Sequence, residues 1–366
     1  MLWLLVTGLS LRAQVVPLNE CATPPKAAWI NTLRQKVQEI NNAPKHKATQ
    51  LALIPVQFHL IVKADGSSAL TIQQIRDEMD SVNAFYANAN MSFYECSSPE
   101  IIYDDSLYNY EYTDEEPILL SQYYTNDVIN IYFANNVSVG GTAVCGYSQF
   151  PPSMDYAVIA ASCATNGSTL AHELGHYFGL YHTHGDISQG ELVDGSNCTF
   201  DGDWICDTPA DPILSSVNVN ATCVYVGTAV DANFMPYAPD VSNIMSYSRK
   251  VCRTRFSPDQ YGVINSTMQT ERSNLYCPVV TAVKSYDKPM AQVFPNPGHD
   301  KIKISLDKTA AHAEVSLYNA IGKCIYSGHF TGNAFELTTA EFPAGIYFYN
   351  ITIEGLSSKG KWIKSN

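Results

Sequence analysis

The run "STLAHELGHYFGLYHTH" (168–184) limits what this chain can fold into more than any other stretch. Histidines at i and i+4 share a face of a helix, with Cβ atoms about 5–6 Å apart, so His172 and His176 can reach one ion only if the chain is helical there. His182 can join them only if that helix stops. Gly179 supplies the stop, because glycine takes backbone conformations closed to other residues and lets the chain turn back. The pattern therefore predicts a helix over about 169–178, an abrupt exit, and a return that brings His182 beside the first two rings. Three imidazoles fit zinc, which prefers nitrogen ligands at ~2.0–2.1 Å and, in catalytic sites, takes three ligands from the protein and keeps one position open. Glu173, next to the first ligand, faces that open position. It can take a proton from a water whose pKa zinc lowers toward ~7 and pass it to a leaving amine. A core helix with satisfied histidines is the plain alternative, but three His in so short a span cost helix propensity and desolvation without improving packing.

The chain has 366 residues and 46% apolar composition, enough for a sizeable core and a better fit to two domains than to one. Its 22 Lys plus Arg against 35 Asp plus Glu give a net charge of -13, which repels nucleic acid and anionic membrane surfaces. Peptides, cations or other proteins are the expected partners. Residues 1–14, "MLWLLVTGLSLRAQ", read as the apolar region and cleavage site of a secretory signal without its basic start. No later run approaches the ~18 apolar residues of a membrane span. Ten cysteines agree with an oxidising compartment, and no pair has zinc-finger spacing. The expected location is secreted or at the cell surface.

Residues 15–50 are polar and punctuated by proline, with a short helical stretch around 27–40, and read as a propeptide. Residues 53–62 have strand character, and 71–89 show apolar residues at helical spacing with Thr71 as N-cap. Further strands are expected at 91–96, 127–137 and 156–162, then the helix at about 169–178. This order predicts an α/β (α+β) layer with the last helix packed below the sheet. From 185 to about 239 periodicity disappears, as in segments held by cross-links or metal ions. A helix is expected over 258–276. The catalytic domain would span 51–280, a linker 281–289, and a small all-β sandwich 290–366, where short alternating strands are separated by turn residues.

"HELGHYFGLYH" (172–182) resembles the extended zinc motif of metzincin metallopeptidases, and "SNIMSYS" (242–248) resembles their Met-containing turn. The resemblance implies a metzincin-like domain with a twisted, mostly parallel sheet, Met245 beneath the metal, and Tyr247 as a hydrogen-bond donor to the oxyanion. Within that group "CDTPAD" (206–211) and Cys252 resemble the pappalysin family, particularly its ulilysin and cytophagalysin branch. That likeness implies disulfides Cys206–Cys252 and Cys198–Cys223; Cys145–Cys163 follows from proximity alone. Cys96, Cys277 and Cys324 stay unassigned.

The same likeness implies calcium near the active-site loops, for which Asp201, Asp203, Asp207 and Thr208 offer hard oxygen ligands; a solvated acidic loop is the other reading. Cys21 sits alone in the propeptide and resembles the cysteine that closes the zinc site of some relatives' zymogens. Relatives that cut before Arg or Lys place an acidic residue between the Met-turn and the next Cys. Here that stretch is "SRKV" (248–251), so Arg249 or Lys250 would favour neutral or acidic side chains instead.

The C-terminal region, with "VFPNPG", "NAIGK" and "PAGIYFY", looks like a type IX secretion sorting domain, which implies passage through secretion machinery. A generic spacer or binding domain is the alternative. Taken together the sequence predicts a secreted zinc-dependent endopeptidase acting on proteins or peptides. An inactive surface adhesin on a peptidase scaffold is the alternative, and it gives no reason to retain Glu173, which binds no metal. Hydrolysis of a non-peptide amide is a third reading.

Overall fold

The computed structural model describes residues 20–42, 51–188, 190–277, 291–320, 322–353 and 356–365. The expected signal at 1–14 and the linker at 281–289 lie outside them. The chain divides into two compact units, Met1–Val279 and Val280–Asn366.

The first unit contains α1 (Ile30–Asn42), β1 (Ala52–Val62), α2 (Ile72–Tyr86), β2 (Met91–Glu95), β3 (Glu100–Tyr103), α3 (Asp105–Tyr108), β4 (Asn109–Glu111) and α4 (Tyr112–Tyr123). It continues with β5 (Ile129–Ala134), β6 (Asn136–Val139), β7 (Thr142–Val144), β8 (Gly146–Ser148), β9 (Tyr156–Ala160), α5 (Thr169–Tyr177) and α6 (Pro258–Gln269). The main sheet runs β2-β1-β5-β9-β8, with β3 also on β1. All its pairs are parallel except β8–β9. The antiparallel β8 thus forms one edge of the sheet.

Alternation along β1 decides which layer each side chain joins. Ile54, Val56, Phe58 and Leu60 share a core with Val82 of α2, Leu174 of α5 and Val263 of α6, while Ile61 faces Leu119 of α4 on the other side. His59, also on that second face, is satisfied rather than functional: it hydrogen-bonds Glu100 and Asn130 and stacks on Tyr132. Trp29, Leu33 and Val37 enter the same core as α5, so the expected propeptide packs as part of this unit. The N-cap at Thr71 is present, as a full capping box with Gln74. The expected helix over 258–276 ends at Gln269, where Thr270 and Arg272 donate their N–H groups back to the last turn and the following residues leave the helix axis.

Two expected disulfides are corrected. Cys198 bonds Cys206 and Cys223 bonds Cys252, in place of Cys206–Cys252 and Cys198–Cys223. The physical reason is local folding: Cys198 N–H, Phe200 N–H and Asp201 N–H all donate to carbonyls three or four residues back, coiling 195–206 so that its two cysteines meet. A bridge between Val219 and Tyr225 then presents Cys223 to Cys252, where Leu214 and Val219 form a small apolar cluster. The long loop is still tied to the segment after Met245, but from a different residue. Cys145–Cys163 forms as expected, and Cys96 pairs with Cys277. Cys21 and Cys324 are free thiols.

The second unit is all-β: β10 (Ala291–Phe294), β11 (Lys301–Asn319), β12 (Cys324–Thr338), β13 (Gly345–Ile353) and β14 (Leu356–Lys364). Hydrogen bonds join these strands into one antiparallel sheet, in which the long β11 pairs with β10 through its first part and with β13 through its second. Ile304, Val315, Leu317, Ile351 and Trp362 form its core.

Candidate active site

Helix α5 lies under β8 and β9 with every residue from Thr169 to Tyr177 buried. Its start is fixed by Asn166, whose Oδ1 accepts from the N–H groups of Ser168 and Thr169. Two glycines allow the close approaches that shape the site. A Cβ on Gly175 would collide with the sulfur of Met245, so the methionine can lie directly against the helix only because no side chain is there. Gly179 has φ +91°, and a Cβ there would meet the indole of Trp29 at 2.6 Å. Trp29 Nε1 donates to the Gly179 carbonyl at 2.8 Å, holding the exit from the helix.

The turn at Gly179 brings His182 back to α5. His172 Nε2 and His176 Nε2 lie 3.1 and 3.0 Å from His182 Nε2. On the far side of each ring Nδ1 has its own acceptor: the Ile244 carbonyl for His172, the Leu180 carbonyl for His176, both at 2.7 Å, and Asp186 Oδ1 at 2.5 Å for His182. Carbonyl and carboxylate oxygens can only accept, so each Nδ1 carries the proton and each Nε2 turns a lone pair inward. Burial holds His176 down at about 3 and His172 well below its usual range, so these rings are neutral. Three lone pairs converging in a buried pocket repel one another unless a cation sits between them. The donor set therefore fits a divalent metal of the nitrogen-loving kind.

Cys21 completes the cluster: its sulfur and the three imidazole nitrogens all lie within 4.8 Å of one another. Glu173 is fully buried; its Oε2 accepts from Thr23 Oγ1 at 2.9 Å and lies 3.4 Å from Cys21 Sγ, while Oε1 has no partner. Burial pushes its carboxyl up to about 8, against the lowering pull of the Thr23 hydroxyl and the Cys21 thiol. Ser148 of β8 locks the surroundings by donating its hydroxyl to the Glu173 carbonyl and its N–H to Thr23 Oγ1.

The Met-turn is held by Asn243, whose Oδ1 accepts from Met245 N–H and whose amide donates to Gln260 of α6. Tyr247 follows it. Its ring packs edge-on against His182 with centroids 4.5 Å apart, and its hydroxyl is pushed well above the usual range by burial.

The oxygen ligands expected for calcium are not gathered as a set. Asp203 is fully buried: Oδ1 accepts from Thr208 Oγ1 and Ile205 N–H, and Oδ2 has no partner. Asp201 accepts from Asn197. Asp207 instead serves the start of α6, accepting from Ser257 Oγ and Asp259 N–H. Glu191, not singled out from sequence, is buried beside Asp201 and pushed up to about 7, by burial and then by that aspartate.

Sequence reasoning also missed Asp186, Thr23 and Ser148. Asp186, four residues after His182, is held down at about 2 because hydrogen bonding and charge from His182, with His176 and His184 nearby, outweigh burial. That i+4 spacing was the available signal, in a loop rich in other acids. Thr23 and Ser148 gave none.

Comparison with known families agrees with this geometry. Residues 112–265 match the model of the pregnancy-associated plasma protein-A peptidase family, and residues 292–365 match that of the secretion system C-terminal sorting domain. Residues 112–265 are thus similar to the peptidase domain of the pappalysin family. Among curated proteins it is similar to an extracellular metalloprotease of Arthroderma gypseum, 25% identical over 69% of this chain and 84% of that protein. An extracellular metalloprotease of Colletotrichum graminicola is 26% identical over 70% and 92%, and one of Arthroderma benhamiae 24% identical over 74% and 97%. The expectation of a secreted metallopeptidase with a sorting tail is thereby borne out. Among the described residues no helix is long and apolar enough to cross a membrane.

Proposed function

We propose that the chain is a secreted zinc-dependent endopeptidase in which His172, His176 and His182 hold the metal and Glu173 moves the proton. The observation that carries this reading is the convergence of the three Nε2 atoms, with those of His172 and His176 3.1 and 3.0 Å from that of His182, beside the buried carboxyl group of Glu173. Zinc bound there supplies a Lewis acid that polarises a peptide carbonyl and lowers the pKa of a water toward neutrality. Glu173 accepts the proton of the attacking water and delivers it to the amine as the peptide bond breaks. The Tyr247 hydroxyl donates to the carbonyl oxygen as negative charge develops on it. Asp186 and the carbonyls of Ile244 and Leu180 keep each imidazole in the tautomer that offers Nε2.

Residues 20–23 act as the inhibitory part of a propeptide. Cys21 takes the corner that water needs, and Thr23 occupies the carboxylate that would activate the water. Proteolytic release of this segment opens the cleft, and the C-terminal unit engages the secretion machinery.

A hard cation such as calcium is proposed beside Asp203, whose buried Oδ2 lacks a partner, with the Thr208 hydroxyl and Glu191 as neighbours; Asp207 is occupied at α6. Calcium addition should raise the melting temperature of the wild type and not of Asp203→Asn.

The deciding experiment is metal analysis of the secreted protein with casein zymography. One zinc per chain, hydrolysis lost on chelation and restored by zinc, and retention of zinc without hydrolysis in Glu173→Ala support the reading. Zinc retained with no hydrolysis in the processed wild type would favour the adhesin alternative.

A further inference from the structure

We infer that this cleft selects an acidic side chain next to the bond it cuts, through the buried cation Arg253 with Lys250 beside it. The inference rests on the peptidase reading of the site. The Arg253 side chain is 1% exposed, and its only ion pair among the described residues is with Glu20, at 3.2 Å. The rest of the guanidinium is poorly served: Nη1 donates to the Ser246 carbonyl at 3.3 Å, and Nε is buried without a partner. Lys250 Nζ lies 3.8 Å from the same Glu20 oxygen; its nearer neighbours are the sulfurs of Cys145 and Cys163, which accept hydrogen bonds weakly.

Glu20 is not an incidental partner. It immediately precedes Cys21, whose sulfur sits among the three imidazoles, and the segment continues along the sheet edge, where Ala22 N–H donates to the Gly146 carbonyl of β8 at 3.0 Å. These residues therefore run through the space a substrate backbone would use, and Glu20 marks one side-chain position in it. When the segment leaves, the buried Arg253 loses its only ion pair among the described residues, an arrangement far less favourable than the paired one. A substrate carboxylate at the Glu20 position restores the pair, whereas a neutral side chain does not.

Arg249 does not share this role. Its guanidinium donates to the carbonyls of Val219 and Ser216, tying down the loop that carries Cys223. The overall charge of -13 would disfavour acidic peptides, so a preference for them has to come from this local pocket.

The test compares peptides that differ only in carrying Glu, Gln or Arg at the positions flanking the cleaved bond, using the secreted, processed, zinc-loaded enzyme. At one flanking position Glu should exceed Gln in kcat/KM by about tenfold or more, as expected when one partner of a desolvated charge pair is lost. The ratio should fall toward one in Arg253→Gln and partly in Lys250→Met. Equal rates for Glu and Gln at every position would overturn the inference while leaving the peptidase reading intact. A second measurement needs no turnover: calorimetric binding to the processed wild type of the synthetic peptide LNECATPP and of the same peptide carrying Glu20→Gln. The unsubstituted peptide should bind about tenfold or more tightly, by the same charge-pair argument, and equal affinities would overturn the inference. If no peptide is cut, the peptidase reading fails, and this affinity ratio still decides the pocket.

Discussion

The Thr23 hydroxyl donates to Glu173 Oε2 at 2.9 Å, placing a residue of the N-terminal segment on the carboxylate that the proposed reaction needs free. Cys21, two residues earlier, reaches the same oxygen and the imidazole cluster. The proposed inhibition has two arms, one on the metal corner and one on the base. In the intact chain Cys21→Ala should raise the basal rate of peptide hydrolysis about tenfold, in line with the loss of about one to two kcal/mol of binding from the segment. Thr23→Val should give a smaller rise, and the pair together the largest. Progress curves recorded before any cleavage of the N-terminal segment read this directly, and rates equal to wild type in both single variants would refute it.

Glu173→Gln keeps the shape and removes the proposed base. Hydrolysis by the processed enzyme should fall by a factor of about 10² to 10⁴ or more, the range expected for loss of a positioned general base. Zinc content should be unchanged, because Glu173 makes none of the Nδ1 contacts that hold the three rings. A parallel loss of zinc would show that the carboxylate serves the metal instead.

Gly175 and Met245 pack closely under the site, where a Cβ on Gly175 would collide with the Met245 sulfur. Gly175→Ala places a methyl group where the Met245 sulfur already lies, and the buried Met245 side chain, the helix or the turn must shift. Overpacking of this kind typically destabilises by about 1–3 kcal/mol. The variant should melt at a lower temperature and bind zinc more weakly, since Ile244, one residue before Met245, supplies the carbonyl that orients His172. Unchanged melting and zinc affinity would mean that the turn yields freely.

How much was legible in advance depended on how local the determinants were. The capping box at Thr71, the helix around His172 and the turn at Gly179 each depend on residues within a few positions, and the sequence displayed them. The pairing of Cys198 with Cys206, eight residues apart, departs from what the family resemblance implies because the local coiling of that loop brings the two together. Helix α4 and the short strands β3 and β4 went unseen: the Tyr-rich stretch 100–125 has no clean period, and its burial is decided by Leu119 and Tyr110 packing under the sheet. Arg253 could not be recognised as part of the cleft at all. Its partner Glu20 lies 233 residues away, and nothing in "VCRTRF" separates a buried arginine from a solvated one.

Glu78 gives a pH dependence that involves no metal ligand. It is buried on α2 and accepts from Gly167 N–H at 3.0 Å, in the loop that leads into α5. Burial pushes its carboxyl up to about 7, outweighing that hydrogen bond. The folded state therefore binds this proton more tightly than the unfolded chain does. The associated stability is complete below about 4.5, the ordinary glutamate value, and is lost as pH rises through about 7. Glu78→Gln stays uncharged and can keep the Gly167 contact through its amide oxygen. Its melting temperature should fall less than that of the wild type between pH 5 and about 7.5. Glu191 is raised for a related reason and stays in both proteins, so subtracting the two curves isolates Glu78. Parallel curves would mean that Glu78 titrates in the folded protein as it does in the unfolded chain.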